Sequence, residues 1–526
     1  MRMKSSEVVF PWNFTTPAAL ILPFIIFFFF MKKNWKKSRS IDEVNLPPGP
    51  KKLPIIGNLH LISEPPFRCF RDLAKQHGPI MHLKLGEVDV IVVSSPEIAK
   101  EILKDNDPIF TNRPESIAAT IFWYNYINIA FSPYGEYWRQ MRKICIMELL
   151  SNKNVRSFAS IRKDEVSRLV ESIRLSAATS APINLTEKVT SSMSSVTCRA
   201  AFGMVCRDKE SLIKLVREGL QMGAGFSIAD IFPSSKIANA LSWGTKLRLM
   251  RMRRKMDVIL DDIIHKHEEN LARMETTTTT TGDNNRRGNG ELGNEDLVDV
   301  LLRIKNGGEL EFPIGYDNIK AVLFDMFTAG TETSASTLDW VMTELVRNPQ
   351  VMVKVQTEVR EMVNGGSIED EDIQKMHYLK VVIMETLRLH PQVSVIPRVS
   401  REPCQISGYT IPGKVKVLVN AWAIQRDPDY WADPEIFQPE RFQNQPSVDY
   451  TGSDFHYLPF GSGKRVCPGM AFGWASVTLP LAHLLYNFNW KLPHGVRVQD
   501  LNMIEKTSLT APRKDELFVV ATTYQP

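Results

Sequence analysis

A short stretch near the C-terminus, PFGSGKRVCPG (residues 459–469, the cysteine loop), gathers residue types that can activate one thiol. Lys464 and Arg465 precede Cys467, and cations favour the thiolate, the form that binds a metal or attacks carbon. The glycines allow a tight backbone whose amides can approach the sulfur. A phosphate-binding loop is excluded, because the spacer and the hydroxyl residue after the lysine are missing. A cysteine-hydrolase nucleophile stays open, although no motif places a histidine as its base.

A second unusual stretch, FTAGTETSAS (residues 327–336), interrupts a long apolar segment with helical character. Glycine at position 330 weakens a helix interior by roughly 1 kcal/mol. The charge of Glu332 is costly to bury unless it has a task. Local conflicts of this kind are typical of functional sites. The alternative is a Ser/Thr-rich helix that packs closely on another helix.

Composition limits the class of protein. The chain has 526 residues, 43% hydrophobic content and a formal net charge of +5, so it can bury a large core and shows no overall bias towards nucleic acid. Its 6 cysteines form no CxxC pair, which indicates a reducing compartment. His265 and His267 are two apart on a predicted helix, so they point to different sides and cannot share a metal there.

The N-terminal segment predicts a membrane anchor. Residues 11–31 carry no charge and reach about 31 Å as a helix, the thickness of one bilayer core. The basic cluster KKNWKKSR follows at 32–39, which is a stop-transfer pattern and places the rest of the chain in the cytosol. A cleaved signal peptide would carry its charge before the apolar run, and a core helix would have a polar face.

The rest of the chain reads as one helix-dominated domain with a small β portion. Residues 80–94 predict a hairpin that turns at Gly86, and a helix is predicted from the N-cap Ser95. Residues 138–390 are mostly helical, broken by a polar loop at 274–296. After residue 391 come short β-like runs, and one more apolar helix follows Cys467. No repeat period is present.

The cysteine loop resembles the haem-binding loop of the cytochrome P-450 (haem–thiolate monooxygenase) family, F-x-x-G-x-R-x-C-x-G. The matching positions are Phe460, Gly463, Arg465, Cys467 and Gly469. This resemblance implies a mainly α, single-domain P-450 fold that binds haem b, with the Cys467 thiolate as axial iron ligand and O2 as co-substrate.

Two further motifs fit the same family in the expected order. ETLR provides Glu385 and Arg388, and PERF provides Arg441. By resemblance these residues form a buried structural network on the proximal side of the haem. Taken alone, an E-x-x-R on a helix is usually a solvated surface pair.

The stretch AGTETS at 329–334 fits the family segment A-G-x-[DE]-T-[ST], which crosses above the iron. By this match Gly330 makes room for dioxygen, and Glu332 and Thr333 relay protons. Cleavage of O–O needs protons delivered to the distal oxygen in a site that excludes bulk water.

The resemblance also assigns partners for the two haem propionates: Trp138, Arg142, Arg398 and Arg465. Exposed basic residues beside them form either a docking face for an acidic redox partner or an ordinary solvated surface: Arg139, Lys143 and Lys464. No G-x-G-x-x-G opens a helix after a strand. NADPH is therefore expected to act indirectly, through a separate NADPH–haemoprotein reductase.

The motif sequences resemble those of the large plant family that oxidises specialised metabolites. Within it, they are similar to a subgroup that acts on terpenoids and, in some members, indole alkaloids. We expect a terpenoid. The family map gives an apolar substrate pocket: Ile117, Ile121, Phe226, Phe324, Phe327, Ala329, Val393, Val395, Ile396 and Leu509. An apolar set suits a lipophilic substrate that enters from the membrane lipid, although such residues are more often core.

The resulting prediction is a single-pass protein of the endoplasmic reticulum membrane with a lumenal N-terminus. Its parts are an anchor segment (1–31), a basic and proline-rich hinge (32–54) and a cytosolic catalytic domain (55–526). Two other functions stay open: a haem–thiolate isomerase or dehydratase, and a non-catalytic haem protein. The first usually lacks the acid–alcohol pair, and the second does not need it.

Overall fold

The computed structural model describes residues 45–525, apart from residues 180, 282–289, 291–294, 309, 364–367 and 446. The chain divides into two compact units, Met1–Leu46 and Pro47–Pro526, and nearly all of the first is outside the described residues. The predicted anchor and the first part of the hinge are therefore outside them too. Within the described residues, no helix has the length and apolar character needed to cross a membrane.

Helices dominate the second unit, as the sequence predicts. In chain order they are α1 (Pro66–His77), α2 (Pro96–Lys100), α3 (Ile117–Ile121), α4 (Glu136–Cys145), α5 (Asn152–Ser157), α6 (Ala159–Ala177), α7 (Leu185–Phe202), α8 (Lys209–Met222), α9 (Ile228–Ile231), α10 (Lys236–Leu241), α11 (Trp243–Thr281), α12 (Leu297–Gly307), α13 (Tyr316–Arg347), α14 (Pro349–Met362), α15 (Asp370–Lys375), α16 (His377–Leu389), α17 (Ala421–Ile424), α18 (Glu440–Asn444) and α19 (Met470–Asn487). Single turns of tighter or wider helix lie at Leu59–Leu61, Glu101–Asp105, Tyr124–Tyr126, Ile146–Leu150 and Val498–Asp500.

The small β portion forms separate sheets. Its strands are β1 (Ile80–Leu85), β2 (Val88–Val93), β3 (Ile183–Asn184), β4 (Ile396–Val399), β5 (Cys404–Ile406), β6 (Tyr409–Ile411), β7 (Lys416–Val419), β8 (Phe488–Lys491) and β9 (Phe518–Thr523). The largest sheet has the order β1-β2-β7-β4, in which β2 and β7 are parallel and the other pairs are antiparallel. Strands β3-β9-β8 and β5-β6 form the others. Arg398 lies in β4, opposite Val417 of β7.

Helix α13 forms the centre of the unit. Its 32 residues span about 48 Å. Apolar residues on every side make it a core helix, and almost all side chains from Ile319 to Val346 are buried. It packs against α7 and α19, so it places the AGTETS stretch beside the helix that follows the cysteine loop.

Two local predictions are confirmed. Strands β1 and β2 form the predicted hairpin, with Gly86 at φ +61° in the turn. Helix α2 begins after Ser95, whose hydroxyl accepts a hydrogen bond from the Ile98 amide, and Pro96 takes the first helical position.

The prediction of a loop at 274–296 is wrong in part, because α11 continues through the threonine tract to Thr281. Helix growth is cooperative, so a long helix can extend through residues of modest helix propensity at its end. The next helix, α12, begins after Asp296, whose carboxylate caps the Val298 and Asp299 amides. The remainder of the predicted loop is largely outside the described residues.

Candidate active site

The cysteine loop is closed by its own backbone. The Cys467 amide donates to the Phe460 carbonyl at 3.0 Å. Gly463 has φ +75°, and a Cβ there would lie 2.1 Å from the Leu103 carbonyl oxygen, so a larger residue does not fit. Gly469 is the N-cap of α19. The thiol therefore lies just before the N-terminus of a long buried helix, the end that favours negative charge.

Opposing effects set the charge of the thiol. Burial raises the pKa of Cys467, whereas a hydrogen bond from the Gly469 amide and the charge of Arg142 lower it. Arg142 is fixed near the loop because its guanidinium donates to the Val466 carbonyl at 2.6 Å. A metal ion bound to the sulfur would add the positive charge that a buried thiolate requires.

The cations nearest in sequence are not those that act on the sulfur. We expected Lys464 and Arg465 to supply that charge, and the structure gives this role to Arg142. Lys464 is exposed, with Nζ 5.1 Å from the centre of the Tyr134 ring. Arg465 turns away to donate to the Thr111 carbonyl at 2.8 Å. Adjacent residues in a tight loop point in different directions, so proximity in sequence was misleading.

The middle of α13 carries the second candidate stretch, residues 327–336. Ala329 is exposed and Thr333 is half-buried, although the helix around them is buried, so this face borders an internal space. The Thr333 hydroxyl donates to the Ala329 carbonyl at 2.6 Å. The first turns of α19 contact α13, and a Cβ on Gly473 would lie 3.9 Å from Ser334 Oγ. The helix that follows the cysteine loop is thereby held against α13 at Ser334, one residue from Thr333.

Glu332 points to another side of α13. It is 4% exposed, and Arg217 of α8 donates from Nε to its Oε2 at 3.4 Å. Arg217 also donates from Nη2 to Thr190 Oγ1 at 2.7 Å. The carboxylate is thus held between α8 and α13, next to the hydroxyl of Thr333 in sequence. No motif marked Arg217, which lies 115 positions before Glu332.

The three residues of the ETLR and PERF motifs meet in one buried network. Arg388 donates from Nε and Nη2 to the two oxygens of Glu385 at 2.7 and 2.9 Å. Arg441 donates from Nε to Glu385 Oε1 at 2.9 Å. Glu385 and Arg388 are 0% exposed. The surface-pair alternative is therefore excluded, and the network ties α16 to α18.

Trp138 and Arg142 share a face of α4, as their spacing predicts. The guanidinium of Arg142 lies 5.3 Å from the centre of the Trp138 ring, and that of Arg465 lies 4.3 Å from it. The Trp138 indole donates to the Ile129 carbonyl at 3.1 Å. The structure therefore brings three of the four predicted propionate partners together.

Arg398, the fourth, reaches the same region from β4. It is 1% exposed and its Nε has no hydrogen-bond partner among the described residues. Burial lowers its pKa well below the ordinary value, and Arg113 and Arg465 lower it further, with Asp107 acting in the opposite direction. The pKa of Arg465 falls to about 9 and that of Arg113 to about 10. Buried cations in excess over acidic groups form a site for an anion with more than one charge. Arg113 was missed, since no motif pointed to it.

The predicted pocket residues divide into groups. Five belong to one apolar cluster around α13: Ile117, Ile121, Phe324, Phe327 and Leu509. Val395 and Ile396 pack instead with residues of the large sheet and its surroundings. Phe226 and Val393 are each 37% exposed.

The apolar cluster contains aromatic residues that the sequence reading missed. Phe122 packs edge-to-face on Phe324 at 5.1 Å, and Trp123 lies 6.3 Å from the same ring. The Leu509 amide donates to the Leu220 carbonyl at 3.0 Å, which brings the C-terminal segment to the cluster. The run IFWY at 121–124 contains these aromatic residues. Apolar composition alone, however, does not distinguish residues of the core from residues of a pocket.

Comparisons with known proteins agree with this arrangement. The family model described as Cytochrome P450 matches residues 47–519. Premnaspirodiene oxygenase of Hyoscyamus muticus is 53% identical over 95% of this chain and 97% of its own length. The 5-epiaristolochene 1,3-dihydroxylase of Nicotiana tabacum is 50% identical over the same shares. A solved structure of zebra fish cytochrome P450 with progesterone has a TM-score of 0.69 and 23% identity, covering 88% of this chain and 100% of that one.

The fold and the thiol site are those of a haem–thiolate oxygenase. The chain belongs to the cytochrome P450 family and is a monooxygenase. Family and fold imply a haem with a thiolate ligand and O2 as co-substrate. The residues present fit that group, because the unpartnered Arg398 Nε and the surplus of buried guanidinium groups match the two carboxylates of a haem.

Proposed function

We propose that this protein inserts one oxygen atom of O2 into a terpenoid, with Cys467 as the thiolate ligand of its haem. The observation that carries the proposal is the cysteine loop at the start of α19, a helix whose first turns contact α13 beside Gly330 and Ser334. The loop can hold a metal, and α13 carries the Thr333 hydroxyl, with the buried acid Glu332 on another face of the same helix.

The chain's own side chains would hold the haem. Cys467 would bind the haem iron. The haem propionates would pair with Arg142, Arg398 and Arg465, and with Trp138. When bound, the haem supplies activation of O2, so that one oxygen atom enters a C–H or C=C bond and the other leaves as water. The Glu385–Arg388–Arg441 network would keep the proximal side rigid.

Glu332 and Thr333 would handle protons. The Thr333 hydroxyl, now donating to the Ala329 carbonyl, can accept a proton from one side and donate one to the other. Glu332 is next to it in sequence, is buried on another face of α13 and is oriented by Arg217. Gly330 would leave room for dioxygen on the same helix. An isomerase or dehydratase usually lacks this acid–alcohol pair, which favours the monooxygenase.

The substrate class follows from the relatives and the apolar wall. Both relatives described above are named for terpenoids, premnaspirodiene and 5-epiaristolochene. The wall formed by Ile117, Ile121 and Leu509 is apolar and partly accessible, which suits a hydrocarbon skeleton. An indole alkaloid or another specialised metabolite is the alternative substrate.

An exposed apolar surface supports attachment to the endoplasmic reticulum membrane. Ile237 and Leu241 are four apart on α10 and are 62% and 69% exposed, and the neighbouring Trp243 is 60% exposed. Contiguous exposed apolar residues mark protein or membrane contacts. With the predicted anchor, they would face the lipid from which a lipophilic substrate enters. Replacing all three by serine should reduce binding of the domain to phosphatidylcholine vesicles.

A basic face supports docking of a separate reductase. Arg139, Lys143 and Lys464 are exposed on the side of α4 and the cysteine loop. Complementary charge would orient an acidic, NADPH-dependent haemoprotein reductase towards the site. Electrons would then enter near Cys467. Raising the ionic strength should slow the reduction if this face is used.

The test is product formation in microsomes that contain this protein and a reductase. Premnaspirodiene, other terpenes and indole alkaloids are supplied with and without NADPH, and product masses are compared. A gain of one oxygen atom that needs NADPH supports the proposal. Isomerised product without NADPH would support the isomerase instead, and a reduced haem–thiolate spectrum with no turnover of any substrate would support a non-catalytic haem protein.

A further inference from the structure

A polar chamber lies behind Glu332, on a different face of α13 from Ala329 and Thr333. Its cavity volume is about 60 Å³, and side chains from α7, α8, α13 and the segment 506–516 line it. Asp515 and Glu516 are exposed at its edge, whereas Glu332 is buried at its wall. The chamber therefore leads from solvent to the proposed proton donor without crossing the apolar cluster.

Three polar side chains of α13 face this chamber in one row: Glu332, Ser336 and Asp339. Their spacing of four and three residues places them on one helix face, over about 10 Å of helix. Ser336 is 7% exposed, and its Oγ has no hydrogen-bond partner among the described residues. A buried hydroxyl of this kind, in a polar chamber, is a site for an ordered water.

Asp339 lies at the far end of the row. It is 3% exposed and accepts a hydrogen bond from Thr186 Oγ1 at 2.6 Å. The nearest guanidinium, that of Arg513, is 3.9 Å away, too far for a direct hydrogen bond. Its second oxygen is thus available to a water in the chamber.

The surroundings of Asp339 let it exchange a proton near neutral pH. Burial raises its pKa to about 6, although Arg513, the Thr186 hydroxyl and Arg217 lower it and Glu516 raises it. Lys506 and Asp515 are the other charged groups that face the chamber, besides Glu332 itself.

We propose that this chamber is the route by which solvent protons reach Glu332, and that Asp339 is the internal carboxyl that holds each proton on the way. The inference rests on the proposed monooxygenase function, in which the oxygen atom that leaves as water takes up two protons and two electrons. A proton leaves Asp339 Oδ, passes through chamber water and the Ser336 hydroxyl, and binds Glu332 Oε. Asp339 then takes a proton from solvent beside Asp515 and Glu516. Only O–H bonds form and break, and one proton moves inward.

Arg217 is a positioning residue in this scheme. Its contacts with Glu332 and with Thr190 hold the acid at the chamber wall. The carboxylate reaches the Thr333 side only when that ion pair loosens, which Arg217 can allow because its side chain is 35% exposed.

The first test needs no turnover. Infrared titration of the purified holoenzyme should show a protonated carboxyl stretch with a midpoint near the pKa of Asp339, and Asp339→Asn should remove it. Asp325→Asn is the spectroscopic control, because Asp325 is another buried carboxyl of α13 with a pKa raised to about 6 by burial, and it faces Asn128 instead. It should remove a different band. An Asp339→Asn spectrum with no band lost would overturn the proposal.

The second test follows premnaspirodiene oxidation with reductase and NADPH. Asp339→Asn should lower product per NADPH by about tenfold, less than the roughly 10²–10⁴-fold of a group that transfers the proton directly. In Asp339→Asn, hydrogen peroxide release and the solvent isotope effect should rise. In Asp339→Glu, both should return to the wild-type values. An unchanged product ratio, or a loss of folded protein with an unchanged isotope effect, would contradict the route. If premnaspirodiene is not oxidised, the proposed substrate fails while the infrared result still decides the inference.

Discussion

Thr197 of α7 occupies the space that a side chain on Gly330 of α13 would need. A Cβ on Gly330 would lie 3.0 Å from both Thr197 Cγ2 and Thr197 Oγ1, and 3.4 Å from Phe472 Cε1. Close packing of α7 on α13 is therefore one reason for glycine at this position. The proposed room for dioxygen would be a second reason on the same helix.

Gly330→Ala should have opposite effects on stability in two backgrounds. In the wild-type chain, overpacking against Thr197 outweighs the helix propensity of alanine, and we expect a net loss of about 1–2 kcal/mol. In a Thr197→Ala background the clash is gone, and the same substitution should stabilise by up to about 1 kcal/mol. Thermal unfolding of the four proteins tests this, and a stabilising effect in both backgrounds would refute the packing account.

Thr333→Val should separate electron consumption from product formation. The change removes the hydroxyl that donates to the Ala329 carbonyl and keeps the side-chain volume. Product formation should fall about 10²-fold, while NADPH consumption continues and hydrogen peroxide accumulates. Thr333→Ser is the matched control, because it keeps the hydroxyl. Equal losses in both variants would show that the methyl group, not the hydroxyl, is needed.

Glu385→Gln should destabilise the protein strongly. It leaves Arg388 and Arg441 buried without their carboxylate, and such a change costs about 3–5 kcal/mol. Glu171→Gln is the control: Glu171 pairs with Arg174 at the same spacing and 2.8 Å, but both side chains are about half exposed. We expect the melting temperature to drop clearly in the first variant and little in the second. Similar melting temperatures would mean that the buried network is not needed.

Stability should fall through His267 as pH rises above about 6.5. The ring is 0% exposed, with Nδ1 2.7 Å from the Ile263 carbonyl and Nε2 2.8 Å from Asp296 Oδ2. Both partners only accept hydrogen bonds, so the ring donates to both when protonated. Burial lowers its pKa, but the hydrogen bond and charge of Asp296, the Ile263 carbonyl and the charge of Asp299 outweigh burial and raise it.

A raised native pKa gives a defined sign. The stabilisation is complete below about 6.5, the pKa of histidine in an unfolded chain, and is lost as pH rises through the raised native value. His267→Gln should abolish this step in the free energy of unfolding against pH. His265→Gln, at an exposed position of the same helix, should retain it. A step that survives in His267→Gln would assign it to another group.

Local sequence predicted those parts of the site that are contiguous. The cysteine loop closes on itself, and its glycines and the following helix are encoded within a few residues of Cys467. The hairpin of β1 and β2 could be predicted for the same reason. Trp138 and Arg142 share a face because four residues make one helical turn.

Contacts between segments that are distant in sequence could not be predicted from the sequence. Arg217 reaches Glu332 from another helix. Arg113 lies near enough to lower the pKa of Arg398, and no sequence motif contains Arg113. The charge next to Cys467 was assigned to its sequence neighbours, whereas Arg142 supplies it from α4. Such contacts depend on how helices pack, which a single sequence does not specify.

The central claim is that the sulfur of Cys467 binds the haem iron, and carbon monoxide tests it most directly. The dithionite-reduced Cys467→Ser and Cys467→His proteins are exposed to carbon monoxide, and their Soret bands are compared with that of the wild type. We predict that the wild type shows the red-shifted band of a thiolate-bound haem and that both variants lose it. An unchanged red-shifted band in either variant would contradict the account.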